Sequence, residues 1–378
     1  MDVERLTLPE DLAGPGAGEF LEFSELTDAI QREVWGHDDR CSPPQYRLRV
    51  WRDSDYESTA LYFVRDRGRM VGRAICQVPL TEDLDRARVR AEVLDEYTGR
   101  GVGRLLLGAA IDEARRRGRT VASTFTEHPA PRRAGPGKAE QAVAGLVPAS
   151  TGAQCTDDVV VPSTGTGALP AGAREVRFAQ AAGFALSQVV RSSELDLAAH
   201  REAWPALEAQ AAARALGEYE LLTWQGIPAE HRAGMAELFA RMSEDAPQGE
   251  DRCEAAVWDA ARVEALEEML SDAGTVPLYA VARHRGSGEF AAYTALWIRP
   301  GKEAVADQDD TLVRVGHRGR SLGLWIKLAN LAQYLAAYPS ARKVITINAE
   351  ENAPMLAINA ALGFRAAGYE GEWYRRLA

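Results

Sequence analysis

The chain has 378 residues, a net charge of -11, 46% hydrophobic and 26% charged residues. That composition is ordinary for a globular protein, and the length exceeds what one core usually serves, so two domains are expected. The acidic balance excludes sequence-independent nucleic-acid binding, which needs a cationic face, and suits a cationic substrate. No uncharged apolar run reaches the roughly 18 residues of a membrane span, and Met1-Asp2-Val3-Glu4-Arg5 lacks the basic start and apolar core of a signal peptide. A cytoplasmic protein without a membrane partner is predicted. Cys41, Cys76, Cys155 and Cys253 are far apart with no nearby His pair, so they read as buried or incidental thiols, with no metal site.

In chain order, 21–35 carries apolar residues at helical spacing, and 59–64 and 70–78 read as strands joined by a charged turn at Gly68. A strand at 89–94 leads into Thr98-Gly99-Arg100-Gly101-Val102-Gly103, and a helix from 105 stops at Arg115-Arg116-Arg117-Gly118. The β-branched stretch 120–125 is a strand. Residues 128–173 are dense in Gly, Pro, Ala, Ser and Thr and read as an inserted, mobile surface loop. A short helix at 174–182 ends in Gly183-Phe184, and a strand pair is expected within 184–197. The Ala-rich connector 198–216 predicts a helical linker interrupted at Trp204 and Pro205.

The second half repeats the order: strand 218–224, helices 230–242 and 258–270, strands 278–283, 290–298 and 311–315. Then come Arg318-Gly319-Arg320-Ser321-Leu322-Gly323, a helix at 324–335, a strand at 343–348, a helix at 352–362 ending in Gly363-Phe364, and a strand near 372–375. Each Gly-rich turn follows a strand and opens a helix, which is how a chain builds an anion cradle. Small residues admit a phosphate to the backbone, and the helix N-terminus favours negative charge. From the last glycine of the turn to Gly-Phe is 80 residues in the first half and 40 in the second, and the insertion accounts for the excess. The chain therefore reads as a tandem duplication, 1–197 and 217–378, with 198–216 as linker.

These residues resemble the GNAT superfamily of N-acetyltransferases, present twice, in a layout similar to mycothiol synthase and antibiotic-modifying acetyltransferases. The resemblance implies an α/β (α+β) fold. Each domain would have a mixed twisted sheet with a V-shaped splay between two central strands and helices on both faces. The family's acyl-CoA turn is written [Q/R]-x-x-G-x-[G/A]. The second copy keeps the basic lead and last glycine but has Ser321 at the first glycine; the first keeps both glycines and loses the basic lead. The second half alone keeps the Asn-led helix, with Asn348, Asn352, Met355 and Asn359, where the first aligns Gly172 with Asn352 and Ala179 with Asn359.

The resemblance implies acetyl-CoA as cofactor and transfer to a primary amine of a small molecule by direct attack in the C-terminal domain, the N-terminal copy being degenerate. The cofactor would meet the backbone at Leu312, Val313 and Val315, the turn Arg318, Gly319, Arg320, Ser321, Leu322, Gly323 and Leu324, and Asn348, Asn352 and Met355. Val93, Arg100, Gly101, Val102, Gly103 and Arg104 are their counterparts in the first half. Asp310 is the expected base and Glu351 its alternative. Asn359 stands where many relatives have a proton-donating Tyr, so it orients the sulfur, or Tyr374 or solvent protonates it. Asp245 would hold the ammonium group, between Trp258 and Trp373. A non-catalytic acyl-CoA-binding module and a protein lysine or N-terminal acetyltransferase are the competing classes. The tandem pair predicts a pseudo-dimeric monomer or a weak homodimer.

Overall fold

The computed structural model of the protein describes residues 1–130, 158–215, 217–245, 247–251 and 253–378. The first repeat runs β1 (Val3–Leu6), α1 (Ala17–Trp35), α2 (Pro44–Val50), β2 (Glu57–Asp66), β3 (Arg69–Pro79), β4 (Arg86–Val93), α3 (Val102–Arg116), β5 (Val121–Pro129), β6 (Val159–Val160), β7 (Leu169–Pro170), α4 (Arg174–Ala181) and β8 (Ala185–Asp196). Two connecting helices, α5 (Leu197–His200) and α6 (Trp204–Arg214), lead to the second. It runs β9 (Tyr219–Gln225), α7 (Arg232–Asp245), α8 (Ala260–Asp272), β10 (Val276–His284), β11 (Phe290–Ile298), β12 (Val305–Val313), α9 (Leu322–Ala337), β13 (Lys343–Ala349), α10 (Ala353–Leu362) and β14 (Arg365–Arg376).

β3 is apolar on both faces, as a strand covered from both sides must be. Met70 and Ile75 meet Phe20, Phe23 and Trp51 under α1 and α2, whereas Val71, Ala74 and Cys76 meet Leu106 and Ala110 of α3. The second repeat divides its core in the same way, with α7 and α8 over Tyr279 and Tyr293 and α9 over Leu278 and Leu296. Among the described residues, no helix is long and apolar enough to cross a membrane.

Twelve strands form one sheet, in the order β1-β2-β3-β4-β5-β14-β8-β13-β12-β11-β10-β9. The repeats exchange their last strands. β14 lies between β5 and β8, in register with β5 from Gly368↔Pro129 to Arg376↔Val121, while β8 pairs with β13. The boundary at 197 separates the repeats in sequence but does not divide the sheet.

Several expectations change. The strand pair within 184–197 is one twelve-residue strand, because its two edges serve β14 and β13. β12 begins at Val305 rather than 311. Pro205 starts α6 instead of interrupting it, since a first-turn proline sacrifices no helical hydrogen bond. The end of the presumed mobile segment is packed: Ala168 and Leu169 are each 1% exposed, and Leu169 joins the first core beside Tyr369 and Trp373. The remainder, 131–157, lies outside the described residues.

Ion pairs bind the seam where each repeat's α1–α2 or α7–α8 connection reaches the other repeat. Arg342 and Lys343 hold Asp39, Lys343 at 2.9 Å. Arg299 donates to the carbonyls of Cys41 and Asp39. Reciprocally, Arg262 pairs with Glu82 at 2.6 Å and Arg86 with Asp251. Burial raises the Asp39 carboxyl, but the hydrogen bonds from Arg342 and Lys343 outweigh it and lower it to about 2. A carboxyl depressed in the fold stabilises it above its unfolded pKa, and that contribution is lost as pH falls through the folded value. Stability should therefore decline between about pH 4 and pH 2, and Asp39→Asn should flatten that limb in acid-unfolding curves.

Trp373 is 1% exposed within the first repeat's core, its indole N–H donating to Thr126 at 2.9 Å. Trp373→Ala should cost about 3–5 kcal/mol of unfolding free energy and loosen the first repeat, as denaturant titration with hydrogen exchange would show.

Candidate functional site

Each repeat opens its sheet at one place. β4 and β5 are parallel partners only over Arg86–Arg88 and Val121–Ser123, and β12 and β13 only over Val305–Asp307 and Lys343–Ile345. Beyond those points the strands part, leaving backbone groups free for a ligand. The Gly-rich turn and the N-terminus of α3 or α9 stand at each mouth.

At the first mouth a cleft of about 800 Å³ passes through the splay. Ile30 and Val34 of α1 line it on one face, Thr126 and His128 of β5 and Phe178 of α4 on the other, and Gly99, Gly101, Gly103 and Arg104 at the turn. Gly99 and Gly101 have φ of +72° and +84°, which only glycine adopts freely. Arg104 has no hydrogen bond or ion pair among the described residues, and Arg100 lies 5.0 Å over the Tyr97 ring. At the narrow end, Arg90 stacks 3.9 Å over Phe125 and bridges the splay to Glu127 at 2.5 Å. Glu127 also accepts from Trp35 and Gln31. Burial works against its charge, but Arg90 and these donors hold its carboxyl below the usual range.

The second mouth is tied more closely. Arg318 donates to the Val313 carbonyl at 3.0 Å and pairs with Asp245 at 2.9 Å. Arg320 donates to the Gly316 carbonyl. Ser321 adopts φ +58° where the first turn has Gly101, a conformation costing an L-residue about 1–2 kcal/mol, and accepts from Arg214 at 3.4 Å. A Cβ on Gly323 would lie 3.0 Å from Ile358, so α10 approaches the turn closely. Leu322 and Leu312 are buried, Val313 and Leu324 pack at the edges of the core, and Val315 is exposed in a short turn after β12.

At the narrow end of the second splay the backbone carries one extra residue. The pairing of β11 with β12 slips between Thr294 and Leu296, so Asp309 and Asp310 together oppose Ala295. A bulge turns two successive side chains to one face, here the face under α7 and α8. Tyr293 donates to Asp310 at 3.0 Å, and Gln308, on the other face, braces the bend through Ala295 and Thr294. Asp309 is exposed and Asp310 half-buried; the protein packed around them disfavours their charge and raises both carboxyls, the Asp310 charge pushes Asp309 higher, and the Tyr293 hydrogen bond restrains Asp310. The first repeat has no such bulge: β3 and β4 pair without a slip from Gly72↔Val93 to Gln77↔Arg88.

On the opposite wall, Asn359 is 2% exposed and donates to Asn348 at 2.6 Å. Asn352 caps α10 by accepting from the Met355 N–H. Five other expected residues stand elsewhere or are engaged. Asp245 is committed to Arg318. Glu351 accepts from Gln188 of β8 at 2.5 Å, away from the Asp309–Asp310 pair. Tyr374 donates to Glu250 at 3.0 Å, because β14 leaves its own repeat and runs beside β5. Trp373 follows it into the first core and is no acceptor wall. Trp258 packs edge-on to Phe239 at 4.9 Å and under Arg262. Asp309 and Arg90 carry little signal in the sequence, where only a one-residue difference in strand length and an unremarkable Arg mark them.

Residues 25–132 match the acetyltransferase (GNAT) family. No curated protein matches the chain. Among solved structures, a tandem GNAT protein from the clavulanic acid biosynthesis pathway is 25% identical, with a TM-score of 0.71 over 99% of this chain and 98% of that one. A GCN5-related N-acetyltransferase from Sphaerobacter thermophilus is 12% identical, with a TM-score of 0.55 over 95% of this chain and 93% of the other. A GCN5-related glucosamine N-acetyltransferase region of a fungal multi-domain β-N-acetylglucosaminidase is 14% identical, with a TM-score of 0.60 over 99% of this chain and 38% of that protein. One repeat thus resembles the acetyltransferase (GNAT) family in sequence, and the whole chain shares the tandem fold of the protein from the clavulanic acid pathway.

Proposed function

We propose that the protein transfers an acyl group, acetyl in the simplest case, from acyl-CoA to a primary amine of a small molecule, with the chemistry in the second repeat. The observation that carries this reading is the Asp309–Asp310 bulge at the narrow end of the second splay. A thioester seated along β12 would present its carbonyl there, and the attacking nitrogen must lose a proton. The protein crowded around Asp310, with Asp309 open beside it, keeps these carboxyls above the ordinary range, nearer the operating pH at which a general base works best. The corresponding place in the first repeat holds Arg90, already paired with Glu127 and Glu92. The free backbone of the splay and the α9 N-terminus would hold the pantetheine arm and the pyrophosphate. Asn359, with its side chain on Asn348, would orient the sulfur.

A second reading places transfer in the first cleft. It is favoured by the roughly 800 Å³ of space there and by the family match over 25–132. Under the main reading this cleft holds an acyl-CoA that does not turn over. We further propose a cytoplasmic monomer, because the strand exchange that joins two domains is completed within one chain. Light scattering should give the mass of one chain.

Calorimetric titration with acetyl-CoA tests the assignment. Gly323→Glu should remove binding at the second cradle and Gly103→Glu at the first. Against a panel of small amines, Gly323→Glu should abolish turnover and Gly103→Glu should spare it, and the reverse pattern would establish the second reading. Asp310→Asn should lower kcat by about 10²- to 10⁴-fold with little change in acetyl-CoA affinity.

A further inference from the structure

Three residues that line the first cleft are Leu107 of α3, Ala179 of α4 and Phe184. Aligned on the paired glycines of turn and Gly-Phe, their counterparts in the second repeat are Lys327, Asn359 and Phe364. Two apolar wall positions have thus become polar. Lys327 is 2% exposed on the inner side of α9, and among the described residues its ammonium has no hydrogen bond or ion pair. Its recorded neighbour is the Phe364 ring, 5.7 Å from Nζ to the centroid. Asn359 spends its N–H on Asn348, leaving a buried amide oxygen unpaired. Phe364 closes back on the helix that carries Asn359, its N–H donating to the Asn359 carbonyl at 3.0 Å.

An unpaired buried amine is expensive, and a helix interior gains nothing from it that Leu would not supply. Two unpartnered polar groups, at positions whose first-repeat counterparts line a cleft, mark a surface that receives a polar ligand. The departing group in acyl transfer from CoA is a thiolate. The residue types that could protonate it are accounted for elsewhere: Asn359 carries no acidic proton, and Tyr374 is bound to Glu250 in the first repeat's sheet.

We propose that Lys327 is the proton donor to the CoA sulfur in the second cradle. This rests on the second-repeat reading given above. As the amine attacks, the C–S bond breaks with its electron pair passing to sulfur. The Lys327 ammonium delivers a proton to that sulfur, and water reprotonates the neutral lysine when CoA leaves. Burial alone lowers the lysine to about 7, so both protonation states are populated near neutral pH. Its surroundings bring no opposing charge: β10, β11 and β12 present apolar side chains and the neutral Thr294 and Gln308 to the face under α9, and α10 presents Asn359 and Leu362. From α6, Arg214 reaches only Ser321, and His200 of α5 packs over Gly363 beside Phe364.

The test uses CoA itself in the full-length Gly103→Glu protein, so that only the second cradle reports. The ultraviolet absorbance of the bound thiolate is followed against pH, with and without Lys327→Met. The expected result is that bound CoA ionises about one to two pH units lower with lysine present than with methionine, at similar CoA affinity. Coincident curves at equal occupancy would overturn the role of Lys327 and leave the second-repeat reading intact. Absence of CoA binding, unchanged by Gly323→Glu, would remove both. Mass spectrometry after incubation with acetyl-CoA supplies the other limit: acetylated Lys327 would make it a nucleophile and overturn the proton-donor assignment.

Discussion

The exchange of last strands is the constraint on which the rest of the molecule depends. A parallel pair such as β4 and β5 needs a neighbour on its far side, because an open edge exposes a row of unpaired backbone groups. Here β5 takes that neighbour from the second repeat and β13 takes its neighbour from the first. The two V-shaped openings are therefore each braced by the other repeat. This brace also sets the fate of individual side chains: Trp373 and Tyr374, close in sequence to the second site, are carried into the first repeat.

Within that frame the repeats diverge by small steps. The first mouth keeps glycine at both left-handed positions and an open through-sheet cleft, but joins its narrow end by an Arg90–Glu127 bridge. The second tolerates a strained Ser321 and ties Arg318 across its mouth, yet places two carboxyls at the narrow end and an amine in its wall. Open space and ionisable side chains are thus distributed unequally over one repeated plan.

Much of this plan was legible in the sequence because it is written in local signals. Glycine turns following apolar strands, a Gly-Phe terminus and helical spacing located the two strand–turn–helix units, and most helices and strands of the second half fall within a few residues of their expected places. What escaped is non-local. Nothing in 365–376 announces that the strand crosses to the other repeat, since its alternation is the same whichever edge it joins. The bulge at Asp309 is invisible because Gln308-Asp309-Asp310 reads as a turn. Lys327 sits inside an apolar helical stripe, where a single lysine reads as a surface residue until its burial is known. Glycine, proline and serine content made all of 128–173 look unstructured, although Ala168 and Leu169 are core residues.

The order of the strands also governs how the chain is made. β5 ends at Pro129 and its partner β14 begins only at Arg365, so the edge of β5 waits for some 236 further residues to emerge. At about 5–20 residues per second of synthesis, that interval is on the order of 10–50 s. Throughout it a nascent first repeat, complete in its own sequence, lacks three strand partners, one for β5 and one for each edge of β8. The halves of this protein cannot mature one after the other on the ribosome; the first is sealed only when the last dozen residues of the second arrive. Any cell making it must keep those edges from other chains until then.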